Sequence, residues 1–305
     1  MRIVNMGGWP LSHEDEQAHE PGGEPLWNES HYFDFVSADG DLGGYVRLGL
    51  YPNWKRAWFW ACLVTRDGGL VAVTDHEAPL PGPETGPETV QETVIEGDGY
   101  EAALRTTEPM RAARVRLGSA ELALDLEWRT AGGVYGYGLT PRYEIPCEVT
   151  GTIGGTPFHG YGERDHSWGV RDWWSISWLW SSGRLEDGTY LHGMQANLGM
   201  ALPWPAFQVP PGGEIEHVAG FSASSAFDGH RPAEAVLRFP GSETTVRPIA
   251  FAPVTLMSPE GAVAAFPRAM CEFETEDGRR GHGWTEWNQP PGWRDHGWHP
   301  LPPAV

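Results

Sequence analysis

The stretch FHGYGERDHSWGVRDWW, residues 158–174, sets Glu163, Arg164, Asp165 and Arg171 among His159, His166, Trp168, Trp173 and Trp174. A solvent-facing strand has no use for so many indoles, and a plain core strand does not take this many charges. The mixture suits the wall of a cavity in which carboxyls and an imidazole meet an apolar ligand. Aromatic faces stabilise a cation by roughly 0.5–2 kcal/mol each once water is gone. A carboxylic acid kept protonated by apolar surroundings can supply the proton that creates such a cation. Asp165 is the leading candidate acid, with Glu163 and Glu286 of HGWTEWN as further candidates and His166 to orient the acid or relay its proton. This chemistry needs no cofactor.

Extended backbone sends alternate side chains to opposite faces. Over 158–168 that puts Phe158, Arg164, His166 and Trp168 on one face, with Gly160 and Gly162 leaving it open. His159, Tyr161, Glu163, Asp165 and Ser167 fall on the other. The two glycines could instead mark a bulge that re-aims the polar run. Downstream, WWSISWLWSS (173–182) and TYLHGMQANL (189–198) read as a hairpin closed around Glu186-Asp187-Gly188. Its expected inner face carries Trp174, Ile176, Trp178 and Trp180 on one strand and Tyr190, His192 and Met194 on the other. Each group also has a structural reading: Asp165 as the partner of Arg164 or Arg171 in a buried ionic network, the tryptophans as barrel core, His192 as a satisfied core histidine.

A metal site would draw on His159, Asp165 and His166, or on Asp295, His296 and His299 near the C-terminal end. No H-E-x-x-H pair accompanies them, so no metal is expected. Nor does the sequence contain a G-x-S-x-G elbow, a phosphate-binding G-x-x-x-x-G-K-[ST] loop or an aspartate-rich run for magnesium diphosphate. No pair of carboxylates stands out by its spacing as a glycosidase pair.

Short β-rich runs recur between turn signals such as Asp39-Gly40-Asp41 and Asp67-Gly68-Gly69, and no helical period lasts beyond ten residues. With 40 Gly, 27 Pro and 16 Trp in 305 residues, the chain reads as all-β: two tandem antiparallel β-barrel or sandwich domains. The expected layout is an arm at 1–24, domains at 25–145 and 146–290, and a Pro-rich tail at 291–305. PLPGPETGPETVQET (79–93) reads as an exposed loop. Cys62, Cys147 and Cys271 have no disulfide or zinc spacing and are expected to be buried thiols. A formal net charge of −20 argues against nucleic acid and anionic membranes as partners. The absence of an 18-residue apolar window and of a signal layout suggests a cytoplasmic protein without a transmembrane segment.

GYGERDHSWGVRDWW, with EVTGTI before it and HGMQANL after it, resembles the second half of the carotenoid 1,2-hydratase (hydroxyneurosporene synthase)-like family, which includes Diels–Alderase relatives. The opening WNESHYFDFVSADGDLGGYVRLGLYPN and the closing GHGWTEWN are similar to a bacterial branch of the same group. The resemblance implies two lipocalin-like domains and matches His166-Ser167-Trp168 to the family's His-x-Trp pair. The family's Tyr-x-Asp has its counterpart in Tyr190-Leu191-His192, where histidine replaces the acid. Asp165 or Glu286 then has to act as the acid. The expected function is a terpenoid or polyene hydratase or cyclase, with no cofactor and a small apolar substrate as partner. Trp168, Trp174, Trp178 and Trp180 would stabilise the cation, Tyr161 and Met194 would line the pocket, and Tyr190 and His192 would position water or remove the last proton. A pericyclase and a carrier for a hydrophobic metabolite are the alternatives.

Overall fold

The computed structural model describes residues 1–82, 92–198 and 202–294. Packing divides it into two units, one formed by residues of 1–65 and 69–171, the other by 66–68 and residues from 172 onward.

The first unit begins with β1 (Arg2–Asn5), β2 (Trp27–Ser37), β3 (Leu42–Tyr51), β4 (Arg56–Thr65), β5 (Leu70–Ala78) and β6 (Glu92–Gly97). It continues with β7 (Tyr100–Glu108), β8 (Ala112–Ser119), β9 (Ala123–Thr130), β10 (Gly133–Gly136), β11 (Arg142–Ile153) and β12 (Thr156–Val170). Their order is β5-β4-β3-β2-β12-β11-β9-β8-β7-β6 with β10 and β1 branching from β11, a sheet that is antiparallel except for the parallel β1–β10 pair and curls into a nearly closed barrel. Phe33, Phe35, Val46, Leu48, Trp128 and Ile145 are among the buried side chains of its core.

The second unit contains β13 (Trp178–Leu185), β14 (Tyr190–Ala196), β15 (Ala206–Val209), β16 (Glu216–His217), β17 (Ser222–Asp228) and β18 (Arg231–Phe239). After them come β19 (Ser242–Phe251), β20 (Val254–Met257), β21 (Val263–Phe266), β22 (Arg268–Thr275) and β23 (Arg280–Asn288). Nine of these form an antiparallel sheet ordered β16-β15-β14-β13-β23-β22-β19-β18-β17, and β20 pairs with β21 apart from it. The all-β, two-barrel expectation matches this architecture. No described helix is long and apolar enough to cross a membrane, and the three cysteines are free and buried.

Three details differ from the sequence reading. The expected division at 145/146 falls inside β11, because the β11–β12 hairpin pairs outward with β9 and β2 and stays in the first sheet. Trp173 and Trp174 precede β13 rather than lie on it. Most of 79–93, and Asp295, His296 and His299 with most of the tail, lie outside the described residues.

The third detail concerns Gly160 and Gly162. The β12–β2 pairing keeps one register from Gly160 to Val170, so no bulge re-aims the polar run. The glycines do not open a face either: a Cβ on Gly162 would lie 2.0 Å from the Asp34 carbonyl oxygen, and one on Gly160 2.1 Å from that of Val36. They let β12 press against β2. Gly162→Ala should therefore destabilise the protein by about 1–3 kcal/mol through a backbone clash that no rotamer relieves. Gly118→Ala, where a Cβ meets nothing within 4 Å, should change little. Urea unfolding midpoints check this, and equal midpoints for the two variants would refute it.

Candidate active site

β12 is the spine of the first unit's chemistry, and its two faces carry two separate networks. Arg164, His166 and Trp168 point with Phe158 to the core side. Tyr161, Glu163, Asp165 and Ser167 occupy the opposite face, where they meet Tyr32 of β2 and Arg142 and Glu144 of β11.

On the core side the partners come largely from the N-terminal arm. Arg164 donates to both Glu16 oxygens, at 2.7 and 3.2 Å, and the Met110 amide donates to Glu16 at 2.7 Å. Burial alone would raise the Glu16 carboxyl, but the Arg164 guanidinium brings it down to about 2. His166 Nε2 donates to Glu29 at 3.0 Å, and the Tyr143 hydroxyl lies 3.4 Å from its Nδ1. His19 Nδ1 lies 2.8 Å from the same Glu29 oxygen, and its ring stacks on Trp168 at 3.8 Å. Burial opposes the Glu29 charge, yet its bonds from His166 and His19 hold the carboxyl well below the usual range. His31 stacks on His166 at 4.1 Å, and burial, reinforced by His166, pushes its imidazole down to about 3.

The other face is dominated by carboxyls. Arg142 donates through Nε to Glu144 and through Nη2 to Asp165 at 2.8 Å. Glu163 brings a carboxylate oxygen within 4.8 Å of one on Glu144. Glu144 is 0% exposed, Glu163 1% and Asp165 6%. Arg171 donates to Ser167 at 3.0 Å, and burial, with Arg142 nearby, lowers its guanidinium to about 10. The Arg142 guanidinium sits 5.2 Å over the Tyr137 ring.

Asp165 and His166 therefore cannot work as a pair. Neighbours on a strand face opposite ways, so His166 answers to Glu29 and Asp165 to Arg142. Of the expected partners of Asp165, Arg164 turns to Glu16 and Arg171 stays within electrostatic reach, while the direct salt bridge is to Arg142. The possible metal set of His159, Asp165 and His166 is likewise dispersed, with His159 exposed. Residue types that can hold a metal do meet at His19, Glu29 and His166. There, however, one Glu29 oxygen already engages both imidazoles and the His19 amide, a complete hydrogen-bonded set without an ion.

In the second unit the sequence-derived hairpin forms between β13 and β14. The register places Trp178, Trp180, His192, Met194 and Tyr190 on one face, joined by Glu286 from β23 and Arg268 from β22. Glu286 accepts from Trp178 Nε1 at 3.3 Å and from Arg268 at 3.0 Å. His192 stacks on Phe207 at 4.7 Å and meets the edge of Trp180 at 5.5 Å. Arg184 lies 5.4 Å over Tyr190. Trp174 does not join this face; it donates to the Leu256 carbonyl at 3.3 Å.

Sequence reading missed Glu16, His19, Glu29, His31, Arg142, Glu144 and Arg268. A signal existed for Glu29 and His31, which alternate in phase with Phe33 and Phe35 and so face the core. Glu144 carried a similar signal as a charge inside the apolar run RYEIPC. Nothing local pointed from Arg164 to Glu16, 148 residues away.

With the geometry in view, comparison places the chain among known proteins. A family model described as "Domain of unknown function (DUF7064)" matches residues 12–291. The chain belongs to this family. No curated protein matches it. Among solved structures it is similar to an AttH-type protein of Nitrosomonas europaea, at 15% identity and a TM-score of 0.63, covering 94% of this chain and 98% of the other. It is similar to CghA at 11% identity and a TM-score of 0.61, covering 87% and 89%. It is also similar to kievitone hydratase of Nectria haematococca at 9% identity and a TM-score of 0.59, covering 96% and 97%. At such identities the members share a fold.

The core-side network sets a pH dependence. His31 is held neutral, so between about pH 6.5 and 3 the unfolded chain binds a proton that the folded one does not, and stability falls as pH falls. His76, lowered to about 4 by burial beside Arg47, acts in the same sense. Glu16 adds its loss only below about pH 4.5, as its partnered carboxylate is titrated. Each such histidine contributes a slope of up to about 1.4 kcal/mol per pH unit. His31→Gln should flatten the stability profile between pH 6.5 and 4.5, measured by urea unfolding across that range; an unchanged slope would contradict the assignment.

Proposed function

We propose that the protein is a cofactor-independent enzyme that protonates a carbon–carbon double bond of a small apolar substrate, as a hydratase or cyclase. The observation that carries this reading is the approach of the buried Glu144 and Glu163 carboxyls to within 4.8 Å. Two buried carboxyls this close are costly to ionise together, and on our reading one of them keeps its proton. Arg142, bonded to Glu144, favours the charge on that member and leaves the proton on Glu163. Glu163 thereby takes the role that sequence reading gave to Asp165, whose own charge is paired with Arg142.

In this mechanism the Glu163 proton is delivered to one alkene carbon while the π electrons form the new C–H bond. The cation left on the other carbon is stabilised by the carboxylates and by aromatic rings of the same face, including Tyr161 and Tyr32. Water, or a second double bond of the substrate, closes on the cation, and the proton then released returns to the carboxylate pair. His166 is a positioning residue on the core side of β12, and Trp168 anchors the arm through His19. In the second unit, Trp178, Trp180 and Met194 offer an apolar binding face, with Tyr190, His192 and Glu286 as its polar groups. The presence of a hydratase, and of CghA determined with Sch210972, among the fold neighbours supports small-molecule chemistry on this scaffold. A terpenoid or polyene substrate and a carotenoid-hydratase kinship rest on the resemblance around residues 160–174.

The test is incubation with linear and cyclic isoprenoids in D2O, followed by mass spectrometry. Deuterium on carbon in a new product is expected. Glu163→Gln should lower turnover by about 10²- to 10⁴-fold, the usual share of a general acid, and Asp165→Asn should cost less. Conversion without deuterium would favour a pericyclic reaction, and saturable binding without conversion a carrier. Full activity in Glu163→Gln would remove the proposed acid.

A further inference from the structure

On the core side of β12 the fold gathers three side chains from separate stretches: His19 of the N-terminal arm, Glu29 of β2 and His166 of β12 itself. Glu29 Oε1 lies 2.8 Å from His19 Nδ1 and 3.0 Å from His166 Nε2, and the three atoms all lie within 4.8 Å of one another. With a proton on each facing nitrogen they form a hydrogen-bonded set that needs no ion. Without those protons they are two imidazole nitrogens and a carboxylate oxygen around one point, a donor set that suits a first-row divalent metal. Two ligands held about 2.1 Å from an ion at a right angle stand about 3.0 Å apart, so both imidazoles are already at working distance from the carboxylate.

The far side of each ring is equipped for the exchange. A ligating histidine gives its remaining N–H to a nearby acceptor, which fixes its tautomer and orientation. His19 Nε2 faces Asp15 Oδ1 at 3.5 Å, and His166 Nδ1 faces the Tyr143 hydroxyl at 3.4 Å. Each neutral ring can therefore carry its proton on the outer nitrogen and turn a lone pair inward. The ring planes are held by stacking, His19 on Trp168 at 3.8 Å and His166 against His31 at 4.1 Å. Glu29 and Asp15 supply two negative charges to offset those of a divalent ion. Glu29 and His166 are buried, but the His19 side chain is 21% exposed, so the site is reached from solvent. Because its ligands come from three elements, no short H-E-x-x-H spacing marks it in the sequence.

We propose that His19, Glu29 and His166 bind one divalent transition-metal ion of the zinc type, which clamps the N-terminal arm to β2 and β12. Two nitrogen donors out of three disfavour magnesium and calcium, which take oxygen ligands. The site lies on the face of β12 opposite Glu144 and Glu163, so the ion is structural and takes no part in the proposed proton transfer.

The experiment titrates the full chain, stripped with EDTA and dialysed, first with cobalt(II) and then with zinc, in excess magnesium to occupy surface carboxylates. One cobalt per chain is expected, with a visible absorption that zinc abolishes, and saturating zinc should raise the melting temperature. His19→Gln can still donate to Glu29 but offers no ring nitrogen. It should bind at least about 100-fold more weakly, more than the loss of a group bonded to a ligand costs, and show no melting shift. Replacing the exposed His159 by Gln should leave binding as in the parent, and so should replacing both His296 and His299 by Gln. Absence of a cobalt site, unchanged affinity in His19→Gln, or loss of the site in the His296→Gln, His299→Gln variant would overturn the proposal. Glu163→Gln should bind the metal normally, so the outcome is separate from that of the D2O experiment.

Discussion

A buried guanidinium must have an anion, and in this protein that requirement organises the first unit. Arg164 lies inside the sheet at 2% exposure and takes its anion not from a neighbouring strand but from Glu16, in a short 3-10 turn of the N-terminal arm. Breaking such a pair leaves a charge in low dielectric, a loss on the order of 3–5 kcal/mol. The arm is therefore fixed against the sheet at one point. From there His19 falls on Trp168 and reaches Glu29, and Glu29 holds His166. The segment that the sequence presents as an arm thus sends Glu16 into the core.

The alternation of β12 turns this one strand into a partition between two kinds of electrostatics. On the core side each acid has a cationic or imidazole partner, so the network is balanced and serves the fold. On the opposite face Arg142 is shared by Glu144 and Asp165, and Glu163 crowds in beside them. Arg171 adds a second guanidinium close to Asp165, so this face too gathers charges of both signs in a dry place.

The solved structures of similar fold show how far the sequence of such a scaffold can vary. Nearly the whole chain follows an architecture shared with a hydratase and with CghA at 9% and 11% identity. A scaffold that survives such divergence is carried by β pairing and an apolar interior, both tolerant of substitution as long as pattern and volume persist. What each member does must be argued from its own charged and aromatic faces.

Much of this protein follows from sequence alone. Period-two alternation, turn residues and the lack of any helical period determined an all-β chain of antiparallel β domains, and the hairpin around Glu186-Asp187-Gly188 formed with Trp178 and Trp180 on one face, though without Trp174. Alternation also placed His166 and Asp165 on opposite faces, since that depends only on strand geometry. Pairing across long sequence distances was decided by tertiary structure. Arg164 with Glu16, His166 with Glu29 and Arg142 with Asp165 join residues 23 to 148 positions apart, and no local pattern encodes such contacts. The unit boundary was settled in the same way, because β11 and β12 found their partners in β9 and β2. Sequence shows which side chains must be buried; only the register of the sheets decides which charges are buried together.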